Sequence, residues 1–456
     1  NKSIFRVSEK WRITSNIQYS TSSNIPRFDK LNDNDIGCVI DSNGVCSAGE
    51  NLKYHSYYYG PQERVFASLK LTAIDYYFDK SEIIVGHQFI KESRHTWKLD
   101  DYLDYLEHPN TPTHYEPLTS KHETVKVYSL NSNFRKRNFY FGSETIYNDV
   151  FSRGLETAGD AWSIENTRYP PGGSSLFSNA FYGHLLERIS HKLQFELGAR
   201  YTYSHIRGAY PDTMERPVAG VEGLNLSTKN HIFSGNFKFV YYPSDSWKIS
   251  GVTSRGFHAP NIDDMLKVFQ KGQNITIPNI QLEPEYALSQ EISISKNIKE
   301  KLDLYAVGFY TKIKNAIVKD SISMNMNPDP NGTPFMYNMI QYDDEFLYTF
   351  ANQNAQSETD IYGLTLGFNA RFKGLQINGD FNITRGINYS LNAGPVAHIP
   401  PVFGKLEFLK EWENYTIRLL YLYSGHKPSD DFDHSGTDNL EETPFLGVTV
   451  DGAPIY

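Results

Sequence analysis

The sequence predicts an all-β fold: an antiparallel, up-and-down transmembrane β-barrel with short turns at one end and long loops at the other. Three observations predict it. Long segments alternate apolar and polar side chains, the period of a strand with two unlike faces. Tight turns and long connections alternate along the chain without a break. Aromatic residues gather beside the tight turns. Composition agrees. Hydrophobic residues make up only 39% of the 456 residues, yet aromatics reach 14%, with 32 Tyr and 28 Phe. Few aliphatics and many rings favour strands. Mean hydropathy is -0.50, and no run approaches the roughly 18 apolar residues of a membrane helix.

The strands justify themselves in order. In "RVFASLKLTA", Val65, Ala67, Leu69, Leu71 and Ala73 alternate with Ser68, Lys70 and Thr72. In "KLQFELGARYTYSHI" (192–206), Leu193, Phe195, Leu197, Ala199, Tyr201 and Tyr203 alternate with Gln194, Glu196, Gly198, Arg200, Thr202 and Ser204. "YGLTLGFNARF" (362–372), "LQINGDFNITRG" (375–386) and "NYTIRLLYLYSG" (414–425) repeat the pattern. Many of these segments match the about 9–11 residues of a tilted membrane strand, and exceed the about 5–6 of soluble ones. The apolar parity is therefore expected to face acyl chains, and the polar parity a wet or plugged lumen. Glu196 and Arg200 share that polar face, each expected to pair with a neighbouring strand.

The connections carry the topology. Tight turns are expected at 79–81, 135–137, 188–191, 243–246, 297–301, 373–374 and 411–414, with another near "VSEK" (7–10). Long loops are expected over about 20–62, 95–122, 151–174, 207–230, 256–285, 314–350, 386–402 and from 426 onward. Compact soluble domains seldom carry many loops beyond about 15 residues; outer-membrane barrels do so routinely, on their external side. Tyr76, Tyr77, Phe78, Tyr241, Tyr242, Trp247, Phe372, Trp412 and Trp11 cluster at the tight turns, as an interfacial girdle would. The turns delimit about fifteen strands, with a fragment before residue 8. Fifteen is odd, where single-chain bacterial barrels usually hold an even number. An incomplete cylinder with two unpaired edge strands is expected.

Other features exclude more than they assign. The net charge of -9 and the lack of a Lys/Arg block argue against nucleic acid. "NKSIFRVSEKWRITS" has neither a start Met nor the apolar stretch of a signal peptide, so residues upstream are expected. Cys38 and Cys46 stand in the turn-rich "GCVIDSNGVCSAGEN", which reads as a small disulfide loop in an oxidising compartment; two unrelated thiols are the alternative, and the spacing fits no common zinc knuckle. "DSNGVCSAGE" and "NPDPNGTP" have the composition of calcium loops without the full ligand spacing, and read as solvated turns. "DDYLDYLEH" (100–108) reads as a short helix or an acidic solvated face. No Gly-rich phosphate loop or HExxH motif is present. No catalytic residue, metal site or cofactor is expected.

The most specific stretch is "SRGFHAPNIDDMLKVF" (254–269). It resembles the Ser-Arg-Gly-Phe-Arg-Ala-Pro segment of TonB-dependent outer-membrane receptors. "LEPEYALSQEISIS" (282–295), "ELGARYTYS" (196–204), "NQNAQSETDIYGLTLGF" (352–368) and "HIPPVFGKLEF" (398–408) resemble further pieces of that family in the family's order. "SSNIPRFDKL" (22–31) and "YYYGPQERVFASLKL" (57–71) resemble its Bacteroidota branch. The resemblance implies a 22-stranded barrel filled by an N-terminal plug. Residues 1–456 would then be a partial barrel domain of about 15 of the 22 strands, roughly the fifth to the nineteenth. The plug, TonB box, first strands and last three strands would lie outside it. It implies periplasmic turns, extracellular loops and residence in the cell outer membrane.

The resemblance also implies a function: uptake of a scarce nutrient such as an iron siderophore, haem or cobalamin, with TonB–ExbB–ExbD acting through the plug. Outer-membrane lipid would be the surroundings, and no enzymatic step is needed. Arg255 and His258 are the substrate-contact residues it suggests. His258 replaces the Arg of the family segment and is the one histidine near the position of a haem ligand; a structural turn role is the competing reading. Two other functions share parts of this pattern. A passive porin-like channel has the strands without the plug, and a β-rich surface adhesin has strands without a lipid face.

Overall fold

In the computed structural model the described residues are 1–31, 39–40, 46–47, 53–99, 102–103, 106, 118–158, 161–165, 167–212, 221, 223–271, 273–325, 336–342, 345–389, 394–432, 447–448 and 454–455. One meander runs through them: β1 (Lys2–Arg6), β2 (Trp11–Thr21), β3 (Glu63–Ile74), β4 (Lys80–Lys98), β5 (Leu118–Lys136), β6 (Phe139–Ala158), β7 (Ser174–Arg188) and β8 (Leu193–Ala209). It continues through β9 (Asn225–Ser244), β10 (Trp247–His258), β11 (Glu285–Ile298), β12 (Leu302–Lys314), β13 (Thr359–Phe372), β14 (Leu375–Asn388), β15 (Phe403–Glu411) and β16 (Thr416–Ser424). Each strand pairs antiparallel with the next in this order. Strands β2–β16 are the fifteen that the turn pattern predicts, and β1 is the fragment ahead of them. Among the described residues β1 pairs only with β2 and β16 only with β15, so the barrel is not closed. No helix of the described residues is long and apolar enough to cross a membrane.

The tight turns owe their geometry to local chemistry. Lys373 and Gly374 join β13 to β14 with φ of 45° and 77°. Two successive positive φ values match the right-handed twist of the flanking strands, and glycine adopts them without a Cβ penalty. Gly374→Val is expected to cost about 1–2 kcal/mol, the strain of a side chain in the left-handed region; the measurement is the denaturation midpoint of the folded protein in detergent.

The two parities separate as expected. Across β7, β8 and β9 the outward residues Phe181, Tyr201 and Phe233 lie in one row, and Leu185, Leu197 and Phe237 in another. Phe181 is 58% exposed, Leu197 50% and Phe233 61%, so no second layer covers them. The alternate residues Thr202, Ser204 and Ile206 are buried on the inner face. There Glu196 meets His184 of β7 at 3.0 Å, and Arg200 donates to Glu144 of β6 at 2.7 Å. Glu196 thus pairs with the adjacent strand as expected, whereas Arg200 reaches past β7 to β6. At the tight turns, Trp11 packs on Tyr76 with centroids 5.6 Å apart, and Phe78 on Phe134 at 5.1 Å. Tyr76, Tyr77, Trp247 and Trp412 are exposed at that end.

The long-loop end differs from the expectation of structureless loops. Strands Phe269–Lys271, Asn274–Thr276, Ile317–Ser321, Met339–Tyr342 and Glu345–Asn354 form a separate five-stranded sheet, in which Asn274–Thr276 runs parallel to Tyr348–Phe350. Its core is Tyr210, Val268, Ile275, Ile340 and Leu347, all buried. The loops therefore bury apolar surface against one another, the term that stabilises any small domain. The expected Cys38–Cys46 bridge lies outside the described residues, since Cys38 is not among them and only the backbone of Cys46 is. The calcium-like stretch 327–334, most of the other at 41–50, and most of 100–108 lie outside them as well.

Candidate binding site at the long-loop end

The segment following β10 builds the mouth. Asn261 caps the short helix α1 (Ile262–Leu266): its side chain accepts from the Asp263 and Asp264 amides at 2.7 and 3.1 Å, while Asp264 accepts from the Asn261 amide at 3.0 Å. This reciprocal capping box satisfies orphan amides that a five-residue helix could not satisfy itself. Ile262, Met265 and Leu266 point into a second core with Val150 of β6, Ile206 of β8 and Leu282. Gly208 of β8 makes room for it: a Cβ there would run into the Leu266 side chain.

Segments far apart in sequence are tied to α1 by asparagines. Asn352 donates to the Asp264 carbonyl at 2.9 Å, and Asn279 donates to the Asn352 carbonyl at 2.8 Å. Asn354 accepts from the Glu283 amide at 2.8 Å and donates to the carbonyls of Glu283 and Asn315, each at 2.9 Å. Glu285 accepts from the Ile317 amide at 3.0 Å. Each side-chain amide replaces water for backbone groups inside a folded loop cluster, where an unmatched group would cost about 1–3 kcal/mol. The stretches around 254–269, 282–295 and 352–368 thus interlock in space.

Beside this clamp, on the inner face of β4 and β5, lies a cavity of about 390 Å³. Its strand wall is Glu92 opposite Glu123 and Arg94 opposite Lys121. Its loop wall adds Tyr59, Arg168, Tyr169, Lys267 and Phe269. Tyr59 is sandwiched by two guanidinium groups, Arg27 at 4.8 Å and Arg94 at 5.0 Å from the ring centroid. Arg168 makes a forked pair with Asp263 of α1, one arm at 2.8 Å, and Lys267 lies 3.7 Å from the same carboxylate. Asp263 raises the pKa of Arg168. Burial, then the Glu123 carboxylate, raises that of the Tyr169 phenol, so Tyr169 is a hydrogen-bond donor at neutral pH. The cup offers cations for oxyanions, carboxylates for hydroxyl or amine groups, and ring faces for flat apolar parts. Among the described residues no group of three or more His, Cys, Asp or Glu could hold a metal ion.

Arg255 and His258 are brought to opposite faces, as three-residue spacing on a strand requires. Arg255 lies on the outward parity, 4.1 Å over the Tyr286 ring. His258 lies inward, 3.6 Å from Asp264. Neither lines the cup. Sequence reasoning missed Tyr59, Arg94, Arg168 and Lys267 because they come from four separate segments. The available signal was a charge on the inner parity of β4, at Glu92 and Arg94.

The chain belongs to the TonB dependent receptor-like, beta-barrel family, which matches residues 10–450. Three solved structures illustrate the likeness. One is the copper transporter OprC, 12% identical, covering 92% of this chain and 57% of its own, with a TM-score of 0.61. Another is the FrpB iron transporter from Neisseria meningitidis, 13% identical, covering 92% and 58%, with a TM-score of 0.56. The third is the ferric yersiniabactin uptake receptor FyuA from Yersinia pestis, 12% identical, covering 91% and 56%, with a TM-score of 0.51. At such identity the likeness shows the fold alone, and the chain spans 56–58% of those proteins. No curated protein matches it.

Proposed function

We propose that this chain is barrel wall and mouth of an outer-membrane receptor that takes up a small, oxygen-rich nutrient complex, such as an iron siderophore, haem or cobalamin. On this reading the tight turns are periplasmic and the long loops extracellular. TonB–ExbB–ExbD supplies the energy through a plug encoded outside residues 1–456. The observation that carries the reading is the cup: carboxylates, and cations laid over aromatic rings, on the inner wall, at the end where the loops fold. Arg255 and His258 then shape the mouth, and Arg94, Arg168 and Tyr59 hold cargo. Binding and release suffice, so no enzymatic step is invoked.

The test is uptake of labelled siderophore, haem and cobalamin by cells carrying the full-length protein. One of these should enter only with an intact proton gradient. Arg94→Ala should weaken its binding to purified protein about ten- to a hundredfold, the effect of losing a charge-assisted hydrogen bond of about 1.5–3 kcal/mol. Entry that persists after the gradient collapses would favour the porin-like reading, and binding unchanged in Arg94→Ala would remove the cup from the pathway.

A further inference from the structure

The outward face of the β8–β9 hairpin changes character along its length. From the tight turn upward, its paired residues are Leu193 with Tyr241, Phe195 with Phe239, Leu197 with Phe237, Ala199 with Gly235, and Tyr201 with Phe233. No charge occurs in these rows. At about 3.3 Å per residue and a tilt of about 40°, they rise about 20 Å, close to the apolar band of a membrane barrel. The next rows are Tyr203 with His231, His205 with Lys229, and Arg207 with Ser227. Arg207, Lys229 and His231 are exposed, while their inner neighbours Ile206, Asn230 and Ile232 are buried. The chain as a whole carries a net charge of -9, so a basic patch here runs against its average.

The patch is ordered. Tyr201 and His231 are 2.7 Å apart through the phenol oxygen and Nδ1. His205 Nε2 lies 2.9 Å from the Ser227 hydroxyl, and Arg207 Nε donates towards His205 at 3.3 Å. Across the β7 side, Arg207, His205 and Tyr203 face Ser175, Phe177 and Asn179. The nearest acid on this face by register is Asp149, opposite Ser175 and also opposite Lys126.

We propose that this surface binds the phosphate of an anionic lipid of the outer leaflet. Arg207 and Lys229 grip the phosphate, and acyl chains run down past the apolar rows below, from Tyr201 and Phe233 to Leu197 and Phe237. Charge complementarity and position favour this occupant: the basic rows begin where the apolar rows stop, at headgroup level. A soluble phosphate would gain nothing from the apolar rows below. The inference is independent of the cargo.

The test uses the full-length protein in mixed micelles doped with phosphatidate or with the matching diacylglycerol, and reads lipid retained after gel filtration. Phosphatidate should be retained preferentially. Arg207→Ala with Lys229→Ala should weaken retention about thirtyfold, about fivefold for each basic side chain near a lipid surface. The charge-conserving pair Arg207→Lys with Lys229→Arg should retain the lipid. Both variants sit on an exposed face, and heat-modifiable gel mobility confirms that each is folded. Equal retention of the two lipids, or an unaffected alanine pair, would overturn the proposal. So would full displacement by equimolar inorganic phosphate, which would mark a solute site instead.

Discussion

Leu197→Lys is expected to destabilise the barrel in phospholipid by about 2–4 kcal/mol, the cost of a cation on the lipid face near mid-bilayer. Leu197 is half exposed between Leu185 and Phe237, whose side chains share its face. In hydrocarbon an ammonium there has no water and no partner, and snorkelling must carry it past neighbouring rings. The control is Ser250→Lys, on the inward parity of β10 opposite Val240 and Ser293; a wetted inner face should tolerate it within about 0.5 kcal/mol. The measurement is the denaturant midpoint of refolding into vesicles. A β-rich adhesin with water on both sides would show no such difference, and an equal response of the two variants would end the lipid-facing assignment.

Leu266→Ala is expected to loosen the mouth while leaving the wall intact. Leu266 is 1% exposed, seated among Val150, Ile206, Met265 and Leu282. Removing a buried leucine side chain costs about 2–5 kcal/mol when the surroundings cannot collapse. Here they cannot, because Val150 and Ile206 are fixed in the strand ladder. The asparagine clamp hangs on the same helix through the Asp264 carbonyl. Hydrogen exchange should therefore accelerate over 259–285 and 345–354, with β2 to β6 unchanged. Cargo binding at the cup should weaken too, since Arg168 is held by Asp263 of α1. Acceleration spread evenly over all strands would show instead that the mouth and wall unfold as one unit.

The wall was legible in the sequence because its information is local. A period of two is visible over "KLQFELGARYTYSHI", and Lys373-Gly374 specifies its own turn. The mouth was not legible, because its strands are three to ten residues long and gain stability only from packing across loops. Ile275 and Leu347 meet although 72 positions apart, and no periodicity links them. The one local signal was Asn261 three residues before Asp264, a capping pair that marks the start of α1. Arg255 and His258 were selected for the segment they sit in; their parity already assigned them to opposite faces. The cup escaped for the opposite reason, since Arg94 is one alternating polar residue among many until Tyr59 and Arg168 are placed beside it.

Strands β5 and β6 hold 19 and 20 residues. At about 3.3 Å each and a tilt of about 40° they stand about 50 Å tall, roughly twice the about 25 Å of hydrocarbon around such barrels. On the proposed function, the upper half would be a rampart in open water. Bilayers of different thickness can ride up or down the lower half without disturbing the chamber above. On the proposed function, recognition of cargo would thereby be insulated from membrane mechanics, and shifts in acyl-chain length should alter how the protein sits and leave untouched what it captures.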